Sequence, residues 1–432
     1  MQLATVIREL KLDDSAGVLE QSWRDSQASL PAGEIFFLTP ESIAHACAQT
    51  RIPEQVAAAA IASGSRIAAH PTARALVWHF HYCLYQAQAY AHSPREWPSL
   101  TQALPEDGRM VYLLAWLSGV PSAEEENRRR GIPAEIVRES LRAPGRWLDR
   151  RGWFAEEQDG PLEPPWGLDP DALTWLILKT RCQLYRLGRL EHQLKPFDLG
   201  ARVFRHRKSA AVLALCENGI HYRTYGGRAA GNTQTEPGTW TSRLVMTQEA
   251  VTGNPISPDG RALKAEVALH TADWEQVLAP GQLALGMHIP AGTPLGHQEC
   301  GQSLRHAMEF FPRHFPDKPV HAFCCYSWLL DAELQRLLPE TSNLVRFQRE
   351  FYLVPHYASS EGLIKSVFGQ SPIDPATAPR RTSLQRAILE RLTTNEPLQP
   401  TGGGCFLLFQ DFDWGKQVYL RGRSPSAFTG GR

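Results

Sequence analysis

Residues 282–311 read QLALGMHIPAGTPLGHQECGQSLRHAMEFF and join two segments of different periodicity. Apolar residues of the first segment recur at every second position: Leu283, Leu285, Met287 and Ile289. Those of the second segment recur with the spacing of one helix face: Leu304, Ala307, Met308 and Phe311. A period of two is typical of a strand, and a period near 3.6 is typical of a helix. The sequence therefore predicts a strand over 282–290 that leads through a turn into a helix.

The residues after this helix continue the alternation of strands and helices. The run PVHAFCCYSW at 319–328 is apolar throughout, which favours a strand that is buried on both faces. Further patterns predict a helix over 331–349, a strand over 350–357 and a helix over 382–392. Together they predict a mixed, twisted sheet that is flanked by helices.

The N-terminal part of the chain is different, because its periodic segments are helical. Four such segments cover 54–63, 71–90, 109–118 and 169–193. The composition changes near residue 200, so we expect a helical domain over 1–200, followed by the sheet domain over 201–395. The fold class is therefore α+β or α/β. The residues 396–432 form a C-terminal extension, for which CFLLFQ and QVYLRG predict a hairpin.

Two features are expected inside the second domain. Asn218-Gly219 stands between the β-rich runs AVLALC and IHYRTY, which is a strong signal for a hairpin turn. The residues 226–261 are rich in Gly, Pro, Thr and Ser, and they predict a long loop that is inserted into the domain.

Composition and charge exclude several classes of protein. Lys and Arg number 45, and so do Asp and Glu, so the basic excess of a nucleic-acid-binding protein is missing. No apolar run reaches the roughly 18 residues of a membrane span, and the N-terminus lacks the pattern of a signal peptide. Eight scattered cysteines without C-x-x-C fit neither a disulfide framework nor a zinc site. We expect a cytoplasmic protein without a bound metal.

Seven short motifs carry a resemblance to a known family. They are RGIPAEI (130–136), RLGRLEHQ (186–193), HIP (288–290), SLRHAMEFF (303–311), SWLLD (327–331), SNLVRFQREF (342–351) and TSLQRAILERL (382–392). In this order they resemble a bacterial acyltransferase family with a helical N-terminal domain and a GNAT-like C-terminal domain. The resemblance covers roughly residues 35 to 395. It implies transfer of an acyl group from acetyl-CoA or another acyl-CoA to a small-molecule amine or hydroxyl.

The resemblance also implies where coenzyme A binds, although two registers are open. The family places the pyrophosphate at the turn between the fourth strand and the next helix. A later loop would use Gln298, Gly301 and Ser303. If the helix instead begins at Thr293-Pro294, a good N-terminal signal, the pyrophosphate would lie against Gly292, Thr293 and Leu295. Gly296, between the two, allows close approach of the backbone.

The catalytic residues are less clear than the cofactor site. Asn343, with Phe347 and Phe351 behind it, matches the cofactor-binding Asn of the superfamily, but Glu350 stands where a general-acid Tyr is usual. The substitute acids are three tyrosines: Tyr326, Tyr352 and Tyr357. The candidate bases are His288, His297 and Glu299. The missing Tyr keeps open an alternative, a non-catalytic ligand-binding or regulatory protein on a degenerate GNAT fold. The oligomeric state is not predicted.

Overall fold

The chain folds into two compact units, Met1–Leu187 and Gly188–Arg432. The structure, a computed structural model, describes residues 1–12, 14–87, 92–143, 145–149, 162–229, 238–291, 294–357, 359–394 and 396–421. Among these residues, no helix has both the length and the apolar character that crossing a bilayer requires.

The first unit is helical, as the sequence predicts. Its α-helices are α1 (Leu3–Glu9), α2 (Trp23–Ala28), α3 (Pro40–Gln49), α4 (Glu54–Ala69), α5 (Pro71–Tyr85), α6 (Gly108–Leu117), α7 (Val120–Arg129), α8 (Ala134–Leu141) and α9 (Pro170–Thr180). Helix α6 is buried along its whole length. Its Trp116 donates an indole hydrogen bond to the Leu176 carbonyl at 2.9 Å, so the largest side chain of this core is also satisfied.

The prediction of one helix over 169–193 is wrong beyond Thr180. After α9 the chain forms β1 (Leu184–Leu187), and Gly188, at φ +82°, turns it into β2 (Leu190–Pro196). The leucines of this stretch fit helical and strand spacing alike, and the positive φ at Gly188 decides between them. The first unit consequently ends at Leu187, whereas composition suggested a change near residue 200.

The second unit contains the remaining strands and helices. The strands are β3 (Ala201–His206), β4 (Val212–Cys216), β5 (His221–Tyr222), β6 (Trp240–Thr241), β7 (Leu244–Met246), β8 (Ala250–Gly253), β9 (Pro255–Ser257), β10 (Arg261–Ala262), β11 (Val267–His270), β12 (Trp274–Leu278), β13 (Leu283–His288), β14 (Ala322–Tyr326), β15 (Tyr352–Val354) and β16 (Gly404–Leu408). The α-helices are α10 (His297–His314), α11 (Leu334–Leu337), α12 (Asn343–Gln348), α13 (Ser360–Phe368) and α14 (Ser383–Thr393).

A mixed sheet organises this unit, in agreement with the expected fold class. Its strands lie in the order β2-β13-β14-β16-β15, and β13 and β14 are parallel neighbours. The strand and the helix predicted from residues 282–311 are confirmed as β13 and α10. Helix α10 packs against β2 and α12 through its predicted apolar stripe, of which Leu304, Ala307 and Phe311 are buried.

The residues 226–261 are not one long loop, which corrects the sequence prediction. Within the described part of this stretch, strands β6 to β10 follow one another from residue 240, and 230–237 lie outside the described residues. Strands β9 and β10 join an antiparallel sheet in the order β10-β9-β4-β3-β12, while β8 pairs with β7 on one side and with β11 on the other. Val251 and Leu215 pack together in the small core of these sheets. Strands of two to four residues are too short to show a period.

Asn218-Gly219 forms a turn but not the predicted hairpin. Gly219 has φ +81°, as an Asn-Gly turn requires. The flanking strands, however, belong to different sheets, because β4 pairs with β3 and β9, while β5 pairs with β6. The turn is held instead by Ser242, whose carbonyl accepts the Gly219 N–H at 2.9 Å. The dipeptide therefore predicted the backbone angle correctly and the pairing wrongly.

Replacing Gly219 with valine is expected to lower the free energy of unfolding by about 1–2 kcal/mol. A side chain at this position has open space around it, so the loss comes from the left-handed backbone alone. Urea unfolding of Gly219→Val and Gly219→Asn measures this directly. Asparagine tolerates positive φ and should lose clearly less; equal losses for both variants would contradict the assignment.

The C-terminal extension forms one of the two strands predicted for it. CFLLFQ contributes β16, whereas the described residues of QVYLRG form no strand, and 422–432 lie outside the described residues. The chain after β16 makes a short 3-10 turn, Phe409–Asp411, and then runs back to α10. Trp414 of this segment donates a hydrogen bond to the His297 carbonyl at 2.8 Å, so the extension contributes to the start of α10.

Candidate functional site

The parallel strands β13 and β14 separate at their carboxyl ends. They are paired only at Leu285 with Phe323 and at Gly286 with Cys324. Each strand continues beyond the last pair, β13 to His288 and β14 to Tyr326. Backbone groups that face a gap of this kind are available to hydrogen-bond a ligand. The carboxyl ends of parallel strands are also where open α/β sheets bind ligands.

Helix α10 begins close to this opening, with a free N-terminus. It starts at His297 behind Gly296, and no side chain of the described residues caps it. The first N–H with a partner inside the helix is that of Cys300, which donates to the Gly296 carbonyl at 3.0 Å. The N–H groups of the first turn, at His297, Gln298 and Glu299, therefore have no carbonyl partner within the helix. Together with the helix dipole they favour a phosphate or another anion.

The later of the two predicted registers is wrong, because its residues lie inside α10. A Cβ on Gly301 would meet the Trp414 ring at 2.4 Å, so this glycine makes room for an indole and not for a phosphate. Ser303 is buried, and its hydroxyl accepts the Leu190 N–H at 3.1 Å and lies 3.1 Å from His192 Nε2. These residues hold the helix against β2.

The earlier register places the helix start three residues too soon, at Pro294. Leu295 and Gly296 directly precede the observed start, and Gln298 lies exposed in the first turn. Gly292 and Thr293 lie outside the described residues. Arg189, which sequence reasoning missed, donates to the Pro294 carbonyl at 3.0 Å and to the Pro290 carbonyl at 2.8 Å, and so holds the turn between β13 and α10.

The face of the sheet opposite α10 carries polar side chains. Cross-strand partners point to the same face, and the register pairs His288 with Glu191, Gly286 with Gln193 and Ala284 with Lys195. The His288 ring is oriented by Gln193, whose Oε1 lies 3.1 Å from Nε2. His288 therefore presents an oriented imidazole at the end of β13, where the two strands separate.

Lys195 crosses this face from β2 to β14. A Cβ on Gly286 would meet Lys195 Cδ at 2.5 Å, so the missing side chain of Gly286 is what lets the lysine lie over the sheet. Lys195 Nζ lies 4.9 Å from the centroid of the Tyr326 ring. Tyr326 ends β14 and is 56% exposed, which leaves it accessible to a substrate. No sequence motif indicated Lys195.

Tyr352 is a structural residue, which corrects its assignment as a candidate acid. It is 0% exposed, its hydroxyl donates to the Ile256 carbonyl, and the same oxygen accepts the Ala214 N–H at 3.2 Å. A hydroxyl that is buried and paired in both directions cannot reach a substrate. Tyr357 is 56% exposed, beyond the end of β15.

Glu350, at the position of the usual Tyr, has a role that the sequence did not indicate. Its side chain is 3% exposed, and Oε1 accepts from His297 Nε2 at 3.0 Å. Its Oε2 accepts the Gly415 N–H at 2.9 Å and the Gln417 N–H at 3.4 Å. We call these four residues with Trp414 the Glu350 clamp. The clamp fixes the first residue of α10 and occupies His297, a candidate base.

Glu299 and Asn343 lie at helix starts. The Glu299 carboxylate folds back over the first turn of α10, with Oε2 only 2.1 Å from where a Cβ on Gly296 would be. This position suits an acidic residue, because it complements the helix dipole. Asn343 is the exposed first residue of α12, behind Ser342, which caps that helix.

The buried thiols give no sign of nucleophilic chemistry. All eight cysteines are free and buried. Burial raises the pKa of Cys324 to about 11 and that of Cys325 to about 12, so both stay protonated near neutral pH. Among the residues that the structure describes, no group of three or more His, Cys, Asp or Glu side chains is arranged to hold a metal.

Comparison with known families follows the two-unit architecture. The model of the GNAT-like C-terminal domain matches residues 184–405, and the model of the N-acyltransferase N-terminal domain matches residues 41–151. The chain belongs to this acyltransferase family. The resemblance drawn from the seven motifs is thereby confirmed, and so is the prediction of an acyltransferase. No curated protein matches the chain.

Solved structures of acyltransferases share the fold of this acyltransferase. One, in complex with decanoyl-CoA and teicoplanin, has a TM-score of 0.59 at 19% identity and covers 95% of this chain and 100% of its own. A variant in complex with octanoyl-CoA has the same score and identity, covering 94% of this chain and 99% of its own. A third, with CoA and a teicoplanin derivative, again has a TM-score of 0.59 at 19% identity, covering 95% and 100%. At this identity the likeness shows the fold.

Proposed function

We propose that this acyltransferase transfers an acyl group from acyl-coenzyme A to the amine of a small molecule. The observation that carries the proposal is the opening of β13 and β14 beside the uncapped start of α10. The pyrophosphate binds the first-turn N–H groups of α10, next to Leu295 and Gly296. The amide groups of the pantetheine chain bind the unpaired backbone between the two strands. The solved acyltransferases with this fold, in complex with CoA and acyl-CoA, support acyl-coenzyme A as the donor.

The reaction needs one base and one acid, and the face of the sheet opposite α10 offers both. The neutral amine attacks the thioester carbonyl, a C–N bond forms, and the C–S bond breaks. His288, held by Gln193, takes the proton from the amine, directly or through water. Tyr326 gives a proton to the departing thiolate of coenzyme A, and the enzyme is reset when His288 releases its proton to water and water returns one to Tyr326. Positioning of the two reactants supplies a further part of the acceleration.

The proposal extends to the acyl donor, the acceptor and the compartment. The solved relatives were crystallised with octanoyl-CoA, decanoyl-CoA and teicoplanin, so we propose a medium-chain acyl donor and a peptide-like amine as acceptor. We also propose that the protein works in the cytoplasm, because eight buried free thiols suit a reducing compartment.

Ligand-induced stabilisation followed by a turnover assay tests the proposal. Coenzyme A, acetyl-CoA, octanoyl-CoA and decanoyl-CoA should each raise the melting temperature, since a ligand at 100 times its Kd stabilises by about 2.7 kcal/mol. Amine acceptors should then release free thiol from the preferred acyl-CoA. Binding without thiol release on any amine would favour the non-catalytic alternative, and absence of binding would overturn the cofactor site.

Replacing Gln298 with proline is expected to weaken coenzyme A binding about tenfold, or roughly 1.4 kcal/mol. Proline is tolerated in the first turn of a helix, but it removes one N–H group that we assign to the pyrophosphate. Gln298→Ala is the matched control, because it removes the exposed side chain and keeps the N–H. Calorimetric titration of both variants measures the difference, with melting in the absence of ligand as a check on folding. Equal affinities would place the phosphate elsewhere.

A further inference from the structure

A cluster of exposed aromatic side chains surrounds one cavity of the second unit. Tyr326 and Tyr357 are each 56% exposed, Trp328 is 37% exposed, and all three line a cavity of about 210 Å³. His356 lines the same cavity and stacks on Tyr326, with ring centroids 5.2 Å apart and planes within 9°. We call this space the aromatic cavity. Exposed aromatic residues that gather at one place mark a binding surface.

Most polar groups of the aromatic cavity are already engaged. The Asp331 carboxylate accepts N–H groups from Glu333 at 2.9 Å, Thr401 at 3.0 Å and Gly402 at 3.1 Å. The Ser359 hydroxyl caps α13 by accepting the Gly362 N–H at 3.0 Å. These groups shape the walls and leave the aromatic rings as the recognising surface.

Two cations stand beside these rings without a carboxylate partner among the described residues. Lys195 lies over the Tyr326 ring, and Arg228 forms a backbone bridge with Tyr357. Their charges reach His356: burial lowers its pKa, and both cations lower it further, while Asp198 acts in the opposite direction. Asp331 also lines the cavity, but its oxygens are taken up by the N–H groups of Glu333, Thr401 and Gly402, so Lys195 over the Tyr326 ring remains a charged group for an anionic part of a ligand.

We propose that the aromatic cavity is the acceptor subsite and takes the aromatic ring of an amine that also carries a carboxylate. The proposal rests on the proposed function and names its substrate class. Tyr326 belongs both to the cavity and to the end of β14, so a ring bound there places its amine near the opening of the sheet. The carboxylate pairs with Lys195 or Arg228.

The size of the cavity suits this occupant. A cavity of about 210 Å³ suits one ring with a few attached atoms. Whole drug-sized ligands need about 300–1,000 Å³, so the rest of a larger acceptor lies outside. An acyl chain would fit by volume, but it has no charge for the two cations.

Matched amines test the class of acceptor. L-phenylalanine carries ring and carboxylate, phenylethylamine only the ring, and L-leucine only the carboxylate. We expect L-phenylalanine to bind at least about fivefold more tightly than either, about 1 kcal/mol, by ligand-observed NMR with the full chain. Similar affinities for all three would overturn the proposal. Preference for a free fatty acid such as octanoate would assign the cavity to the acyl chain instead, which also overturns it.

Two variants test separately how the aromatic contact and the cation contribute to ligand binding. Lys195→Met should reduce binding of L-phenylalanine several-fold and leave phenylethylamine unchanged, whereas Trp328→Ala should weaken both. The matched controls are Lys208→Met and Met246→Ala, which make similar changes at exposed positions away from the cavity. If the two cavity variants behave like their controls, the subsite is wrong.

Coenzyme A binding, measured in the same samples, distinguishes this proposal from the proposed function. If the parent protein binds coenzyme A but shows no preference among the amines, the proposed function stands and the proposed subsite is wrong. If the parent protein binds no coenzyme A but selects L-phenylalanine, the proposed acyl transfer is wrong and the aromatic cavity remains a site for an aromatic amino acid. If Lys195→Met loses coenzyme A binding and also has a lower melting temperature, the variant is unfolded. The comparison of Trp328→Ala with Met246→Ala then decides whether the subsite is correct.

Discussion

Replacing His288 with alanine lowers the turnover number by about 10²–10⁴-fold, the range that removal of a general base commonly produces. His288 ends β13 at the opening of the sheet, and Gln193 orients its ring at 3.1 Å. The loss should appear in kcat, while affinity for coenzyme A stays near that of the parent protein. The reason is that the cofactor site we propose lies at the start of α10, on the opposite face of the sheet.

Steady-state rates of thiol release, with octanoyl-CoA and a saturating amine, measure this effect. His306→Ala is the matched control, because His306 lies exposed on α10 and outside the proposed chemistry. Gln193→Leu keeps the imidazole but removes the group that orients it, so its loss in turnover number should fall between those of His288→Ala and His306→Ala. If His288→Ala turns over like His306→Ala, the amine loses its proton to water or to Glu299.

The central strand and helix were readable from the sequence because their periods extend over many residues. Both β13 and α10 present an uninterrupted apolar pattern, which fixes their type, and in α10 also the side that is buried. The short strands between residues 240 and 262 could not be read in this way, since each holds two to four residues. Asn218-Gly219 specified a positive φ at Gly219, but strand pairing depends on partners far along the chain.

The sequence indicated those parts of the candidate site that depend on neighbouring residues and missed those that depend on distant ones. The sequence indicated His288 and the turn before α10, because strand and helix meet there. It could not indicate that Lys195 lies over Gly286, since that contact requires the register of β2 on β13. Gly301 resembled part of a phosphate loop, although its small size serves the packing of Trp414. Short glycine patterns do not distinguish these two uses.

The Glu350 clamp leads to the second large expected effect, on stability. Glu350→Ala should lower the free energy of unfolding of the second unit by about 3–5 kcal/mol, the cost of removing one partner of a buried pair. The variant leaves His297 and the N–H groups of Gly415 and Gln417 without their acceptor in a partly buried place. Glu350→Gln keeps one acceptor oxygen and should lose about 1–3 kcal/mol.

Urea unfolding, with tryptophan fluorescence as the signal, compares these variants with Glu340→Ala. Glu340 also pairs with a cation, Arg349 at 2.7 Å, but its side chain is 76% exposed, so its removal should cost less than about 1 kcal/mol. A loss at Glu350→Ala no larger than at Glu340→Ala would show that the clamp does not contribute to the free energy of unfolding.

The affinity for coenzyme A should fall together with stability in Glu350→Ala. The reason is that the clamp fixes His297, the first residue of α10, whose N–H group belongs to the first turn that we assign to the pyrophosphate. Glu350 stands where the sequence resemblance implied a general-acid Tyr; its buried carboxylate instead holds the start of α10, and we therefore propose Tyr326 as the acid.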